Sequence, residues 1–132
     1  RIISAYRSFG YQEQLKHNHS VTYGTSVSNQ FVADQGYSEH QLGTTVDIVN
    51  TSIGSDMSAF DTTPEYQWLL NHAHEYGFIL SYPQSNAYYA FEPWHWRFVG
   101  KELAGVLHTQ GTFFYDLPQR DINTYRIKMF DM

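Results

Sequence analysis

His40 and Asp47 stand seven positions apart with Gly43 between them, and this spacing restricts the chain more than any other feature of it. On one helix the two side chains would share a face but lie ~10 Å apart along the axis. On one strand they would be ~23 Å apart and on opposite faces. Neither geometry brings both to a single ion, whose ligand atoms lie ~2 Å from it. If both bind one ion, the chain must reverse between them, and Gly43 is the residue free to make that reversal.

A second segment, Glu92-Pro93-Trp94-His95-Trp96-Arg97, carries the same combination of ligand-type side chains and a turn residue. Pro93 moves Glu92 out of the helical region and favours the second position of a β-turn from Glu92 to His95. The ends of such a turn lie less than ~7 Å apart. One of the two could then ligate a metal while the other addresses a water beside it. Hydrolytic zinc sites divide the work in this way, with three protein ligands, an open position and a carboxylate base. Two His and a carboxylate also suit ferrous iron, a reading that leaves Glu92 without a role.

Plainer readings stand beside these. The chain has seven His, most of them expected on the surface. His17 and His19 are two apart, as are His72 and His74, and on a helix such pairs point about 200° apart and cannot chelate. These four are read as solvated, and His108 is left open. Glu92 could be a surface carboxylate, and Arg97 a structural ion-pair partner bracing the sheet. Trp94 and Trp96 alternate with His95 and Arg97, which on a strand turns both indoles toward the core. Spacing alone leaves a metal site and an ordinary polar surface both open.

Bulk properties narrow the classes. At 132 residues the chain fits one domain with its own core. It has no Cys, which excludes disulfides and any thiolate metal site. The net charge is −5, and the absence of a Lys or Arg run argues against nucleic acid and against a polybasic membrane mode. No apolar stretch is long enough to span a bilayer. The 11 Tyr, 9 Phe and 3 Trp suggest an aromatic-walled cleft. The chain opens on Arg1-Ile2-Ile3-Ser4, which reads as a strand already under way, so a longer protein with any targeting segment upstream is expected.

Periodicity predicts strands near 1–6, 45–49, 78–82, 87–91 and 94–99, and helices near 9–19, 25–33, 64–76 and 100–110. The helix over 64–76 is the best bracketed, with Thr63 as cap, Pro64 at the first position, Gly77 at the end and a buried stripe of Tyr66, Leu69, Leu70 and Ala73. On the helix near 9–19, Tyr11 and Leu15 are spaced for one face. Residues 50–61 read as loop, and 112–132 give no clear pattern. The mixture implies an α+β domain.

Ser38-x-His40-x2-Gly43-x3-Asp47 together with Glu92-Pro93-Trp94-His95 resembles the VanY-type D-alanyl-D-alanine carboxypeptidases, within the metallopeptidases of the hedgehog-type fold. Tyr6-Arg7-Ser8 with Gln12, the Trp68-Leu69 helix, the Gly77-Phe78 junction and Tyr82-Pro83 agree with the family pattern. The resemblance runs from about residue 1 to 110, leaving 111–132 as a C-terminal extension of a single zinc peptidase domain, 1–132. It implies a central antiparallel sheet flanked by helices, with the site in a groove across it. It further implies one zinc ion per chain on His40, Asp47 and His95, Glu92 as catalytic base, and Arg7, Gln12 and Ser38 in contact with substrate, Arg7 gripping a terminal carboxylate.

The expected activity is removal of the terminal D-Ala of peptidoglycan stem peptides. L,D-carboxypeptidase, wall endopeptidase and non-catalytic wall-binding module are the alternatives. The expected setting is the cell envelope or exterior of a bacterium, the expected partners are stem peptides or their precursors, and the expected state is a monomer. Three departures from the family pattern bear on pocket shape: Gln35-Gly36-Tyr37 before Ser38, Thr45 where Ala is common, and Ser81 where relatives often carry Arg.

Overall fold

A sheet with two unlike faces organises the chain. The computed structural model describes residues 1–54 and 56–130, with side chains up to Arg126. Four short strands, β1 (Ile2–Ser4), β2 (Thr45–Ile48), β3 (Phe78–Leu80) and β4 (His95–Phe98), form one antiparallel sheet in the order β1-β2-β4-β3. Val46 pairs with Trp96 and Trp96 with Leu80, while Asp47 pairs with His95 and Ile79 with Arg97. Because side chains alternate along a strand, this register gathers Val46, Trp96 and Leu80 on one face and Asp47, His95, Arg97 and Ile79 on the other.

The apolar face is packed. Trp96, Phe60, Tyr66 and Ala73 are buried together, with Val46, Ile48, Phe78 and Leu80 against them. Tyr66 and Ala73 come from helix α3 (Pro64–His72) and the 3-10 turn that extends it to Tyr76. The expected bracket holds: Thr63 Oγ accepts from the Tyr66 N–H at 3.2 Å, and Pro64 follows. Gly77 closes the segment at φ +85°, where an added Cβ would lie 2.6 Å from the Phe98 ring. Leu70 departs from the expected stripe, being 38% exposed, because the helix turns it past the edge of the core. A second cluster joins Val99 to Leu103, Ala104 and Leu107 of α4 (Lys101–Gln110) and to Phe114.

The polar face is roofed by α1 (Phe9–Tyr23) and α2 (Thr25–Phe31). Ser8 caps α1, its hydroxyl accepting from the Tyr11 N–H, and Gly24 ends it at φ +86°. The inward side of α1 is centred on Gln12, which is 1% exposed, whereas Tyr11 is 56% exposed. Of the expected Tyr11–Leu15 face, Leu15 is half-buried and lines the cleft while Tyr11 turns outward, since α1 covers a polar cleft and not a greasy core. Residues 87–91 do not form the expected strand. Asn86 Oδ1 accepts from both the Tyr88 and Tyr89 N–H at 2.9 Å, and this local turn takes up donors that a strand would need. The extension contains a 3-10 turn (Phe114–Asp116) and α5 (Gln119–Phe130).

Candidate active site

Local turn chemistry delivers each ligand-type residue to the polar face. Residues 39–42 form a single 3-10 turn that ends at Gly43, φ +72°, from which the chain doubles back into β2. The reversal required between His40 and Asp47 is therefore present, at the residue able to make it. Across the sheet, the His95 N–H donates to Glu92 O at 3.2 Å, closing the turn over Pro93. That turn is pinned on both sides, by the Glu92 N–H on Tyr82 O at 3.1 Å and by Trp96 Nε1 on Pro93 O at 3.0 Å.

His40, Asp47 and His95 converge, each with one ligand atom within 4.8 Å of the others, and all three are buried. His40 Nε2 lies 3.3 Å from Asp47 Oδ2, and His95 Nδ1 lies 3.3 Å from Asp47 Oδ1. The two distances end on different oxygens of Asp47, and each matches the separation of about 3.3–3.4 Å between neighbouring ligands that stand about 2.0–2.1 Å from a tetrahedral zinc ion. Asp47 Oδ1 is buried and receives no hydrogen bond, an orphaned acceptor that a cation would satisfy. On these observations the residues fit the ion.

Partners behind the imidazoles fix which nitrogen each presents. His40 Nδ1 is 2.6 Å from the Ala5 carbonyl, so Nδ1 holds the proton and Nε2 is free. His95 Nε2 is 2.9 Å from Glu39 Oε2, so Nε2 holds a proton and Nδ1 is the nitrogen that faces the cluster. Glu92 Oε2 lies 3.5 Å from that Nδ1, at the edge of the ligand cluster.

The charges are strongly perturbed. Burial drives the Glu92 carboxyl up to about 8, the neighbouring His95 only partly opposing it. Burial works against charge at Asp47 too, but the two imidazoles against it, His40 and His95, outweigh burial and hold the carboxyl well below its usual range. Burial also disfavours a charged His95, yet the Asp47 and Glu39 carboxylates on either side of its ring raise it to about 9. A proton on His95 Nδ1 would have to leave before that nitrogen could ligate a cation.

The remaining expected residues line the same cleft of about 280 Å³, with Tyr82, Tyr89 and Trp94 among its walls. Arg7 Nη2 bonds Asp47 Oδ2 at 2.9 Å, and Nε bonds Ser4 Oγ at 3.0 Å, so part of its fork is committed to a ligand carboxylate. Gln12 Nε2 donates to Ala33 O at 2.8 Å, leaving a buried Oε1 without a partner. Ser38 is buried at the mouth of the turn bearing His40.

Three readings need correction. Trp94 lines the cleft and is not in the core, because β4 begins only at His95. His19 is half-buried, lines the cleft and packs at a tilt against Tyr23, so it is not a solvated residue. His74 is likewise half-buried, stacked on His108 with ring centroids 3.7 Å apart.

Sequence reasoning gave no role to Glu39. It is 4% exposed and takes hydrogen bonds from His95, Ser81, Arg97 and Tyr115. Its partners lie 42 to 76 positions away, beyond the reach of any local pattern, although a carboxylate beside a candidate ligand was a usable signal.

Known proteins resemble this chain in sequence and in fold. The family model described as VanY, D-alanyl-D-alanine carboxypeptidase, matches residues 1–101. A putative carboxypeptidase of Bacillus subtilis, YodJ, is 38% identical over 109 residues, which is 80% of this chain and 40% of that protein. The LD-carboxypeptidase LdcB superposes with a TM-score of 0.74 at 33% identity, covering 96% of this chain and 57% of the other. A mutant of the vancomycin-resistance D,D-pentapeptidase VanY, in complex with Zn(II), gives 0.73 at 28%, covering 95% and 70%. The chain therefore spans less than half of the B. subtilis relative, and it belongs to the VanY family of D-alanyl-D-alanine carboxypeptidases.

Proposed function

We propose that this chain is a zinc-dependent D,D-carboxypeptidase domain that removes the terminal D-Ala of peptidoglycan stem peptides in the bacterial cell envelope. The observation that carries the reading is the meeting, in one cleft, of a His40–Asp47–His95 donor set, a buried Glu92 and the cation of Arg7. A zinc ion on the three donors would supply Lewis-acid polarisation of the scissile carbonyl and a lowered water pKa.

The chain's own residues account for the rest. Glu92 accepts a proton from water and returns it to the leaving amine, a task suited to a carboxyl tuned toward neutrality by burial. A cation beside it would favour its ionised form and bring it down from about 8. Arg7 offers planar N–H donors to a free C-terminal carboxylate. Gln12 Oε1, buried and unpartnered, can accept from a substrate amide N–H. Among the described residues no helix is long and apolar enough to cross a membrane.

An L,D-carboxypeptidase is the second reading, favoured by the likeness to LdcB over 96% of this chain. Incubation of the zinc-loaded protein with a defined stem pentapeptide and tetrapeptide, read by mass spectrometry, separates the two. Loss of one D-Ala from the pentapeptide alone supports the leading reading. Cleavage of the tetrapeptide alone replaces it with the second, and cleavage of neither refutes both.

A further inference from the structure

The Glu39 carboxylate accepts four hydrogen bonds, and they use it fully. Oε2 takes His95 Nε2 at 2.9 Å and Ser81 Oγ at 2.8 Å, while Oε1 takes Arg97 Nη1 at 2.7 Å and the Tyr115 hydroxyl at 2.5 Å. A carboxylate has about four lone-pair sites, so no acceptor position is left over. The donors come from β4, from the residue just after β3, and from the 3-10 turn at Phe114–Asp116. Each therefore limits the rotation of Glu39 from a different direction.

One of the four is unlike the rest in origin. Tyr115 lies beyond residue 101, where the family match ends. It reaches the imidazole of His95 by two routes. Its hydroxyl holds the Glu39 oxygen opposite the one that bonds His95. Its ring stacks on Tyr82 at 6.1 Å and 10°, and Tyr82 in turn lies against the His95 ring at 4.7 Å. The backbone around it is anchored as well, with the Tyr88 hydroxyl on Tyr115 O at 3.1 Å and Phe114 buried beneath the Arg97 guanidinium at 4.4 Å.

We propose that Glu39 and, through it, Tyr115 are positioning residues for His95: the segment after the family-matched region closes a hydrogen-bonded clamp that holds the imidazole with Nδ1 turned toward Asp47. The inference rests on the metal reading of the site. A ligating His is oriented by the acceptor on its other nitrogen, and loss of such an outer partner costs about 10–100-fold in metal affinity or activity. Here the orienting acceptor is Glu39, and Tyr115 acts one bond further out.

The test uses Tyr115→Phe in the full chain, which deletes one oxygen and keeps the ring that packs on Tyr82 and Phe114. Zinc affinity is measured by competition with a chromophoric chelator, and the ligand field by the visible spectrum of the cobalt(II)-loaded protein. Expected are zinc binding weaker by about tenfold, the low end for an outer partner, a displaced cobalt spectrum, and a fall in kcat with KM held. Glu39→Gln should weaken zinc further in the same direction. If Tyr115→Phe binds zinc within twofold of the parent with an identical cobalt spectrum, the clamp is refuted, even if the variant melts at a lower temperature. If the parent itself holds no zinc, the metal reading falls and the inference falls with it, an outcome distinct from parent and variant binding alike.

Discussion

His40 and His95 face Asp47 through opposite ring nitrogens, Nε2 from one and Nδ1 from the other, with their rings 5.0 Å apart and near perpendicular at 82°. Each takes its orientation from an acceptor on a different element: the Ala5 carbonyl after β1 for His40, and Glu39 for His95. Loading the chain should give about one zinc per molecule, the stoichiometry of a single three-ligand site. His40→Ala or Asp47→Ala should abolish both metal retention and turnover. Elemental analysis after gel filtration checks this, and full zinc in His40→Ala would refute the assignment.

Glu92 is buried at the edge of the ligand cluster, 3.5 Å from His95 Nδ1. Glu92→Gln preserves shape while removing the basic oxygen. It should keep zinc and lose roughly 10²–10⁴-fold in kcat, the usual worth of a general base. Turnover within a factor of two of the parent excludes Glu92 from that role.

Arg7 divides its donors between Asp47 and the cleft it lines. If it grips a terminal carboxylate, a C-terminally amidated substrate should be cut roughly 10–100-fold more slowly than the free acid, the worth of charge-assisted hydrogen bonds. Arg7→Ala should erase that preference, and Arg7→Lys should restore part of it. Equal cleavage of acid and amide by the parent would instead favour an endopeptidase.

The metal-free protein should lose stability as pH rises toward about 9. His95 is raised from 6.5 to about 9, so its favourable interactions are complete below pH 6.5 and vanish as pH climbs through 9. Glu92 is raised from 4.5 to about 8, so the cost of ionising it in the folded state accumulates between pH 4.5 and about 8 and adds to the loss over the lower part of that climb. In both cases the unfolded chain gives up its proton first, and the sign is the same. Zinc reverses the trend, since its binding needs a deprotonated His95. Thermal melts from pH 6 to 9 with and without zinc check this, and a metal-free midpoint that rises with pH would contradict it.

Those residues were legible because each sits beside a backbone specialist. Gly43 and Pro93 announce turns, and a turn is what lets side chains at such spacings meet. The bracket of α3 was readable for the same reason, through Thr63, Pro64 and Gly77. Glu39 was not, because its meaning depends on positions 81, 95, 97 and 115, which only tertiary folding brings together. The orientation of α1 was missed because periodicity looks for apolar stripes, and this helix buries Gln12. Residues 87–91 were misread because β-prone tyrosines carry no sign that Asn86 captures their N–H groups.

The pairing of Asp47 with His95 across β2 and β4 has a consequence for folding. Side chains alternate between the faces of a sheet, so a slip of one residue would carry Asp47 round to the side occupied by Trp96 and leave His95 opposite an apolar neighbour. A bound ion would oppose every such misalignment, since only the native pairing sets these ligands together. The metal centre would then act as a register lock on strands only four residues long, and stripping it with a chelator should loosen amide protection first in β2 and β4.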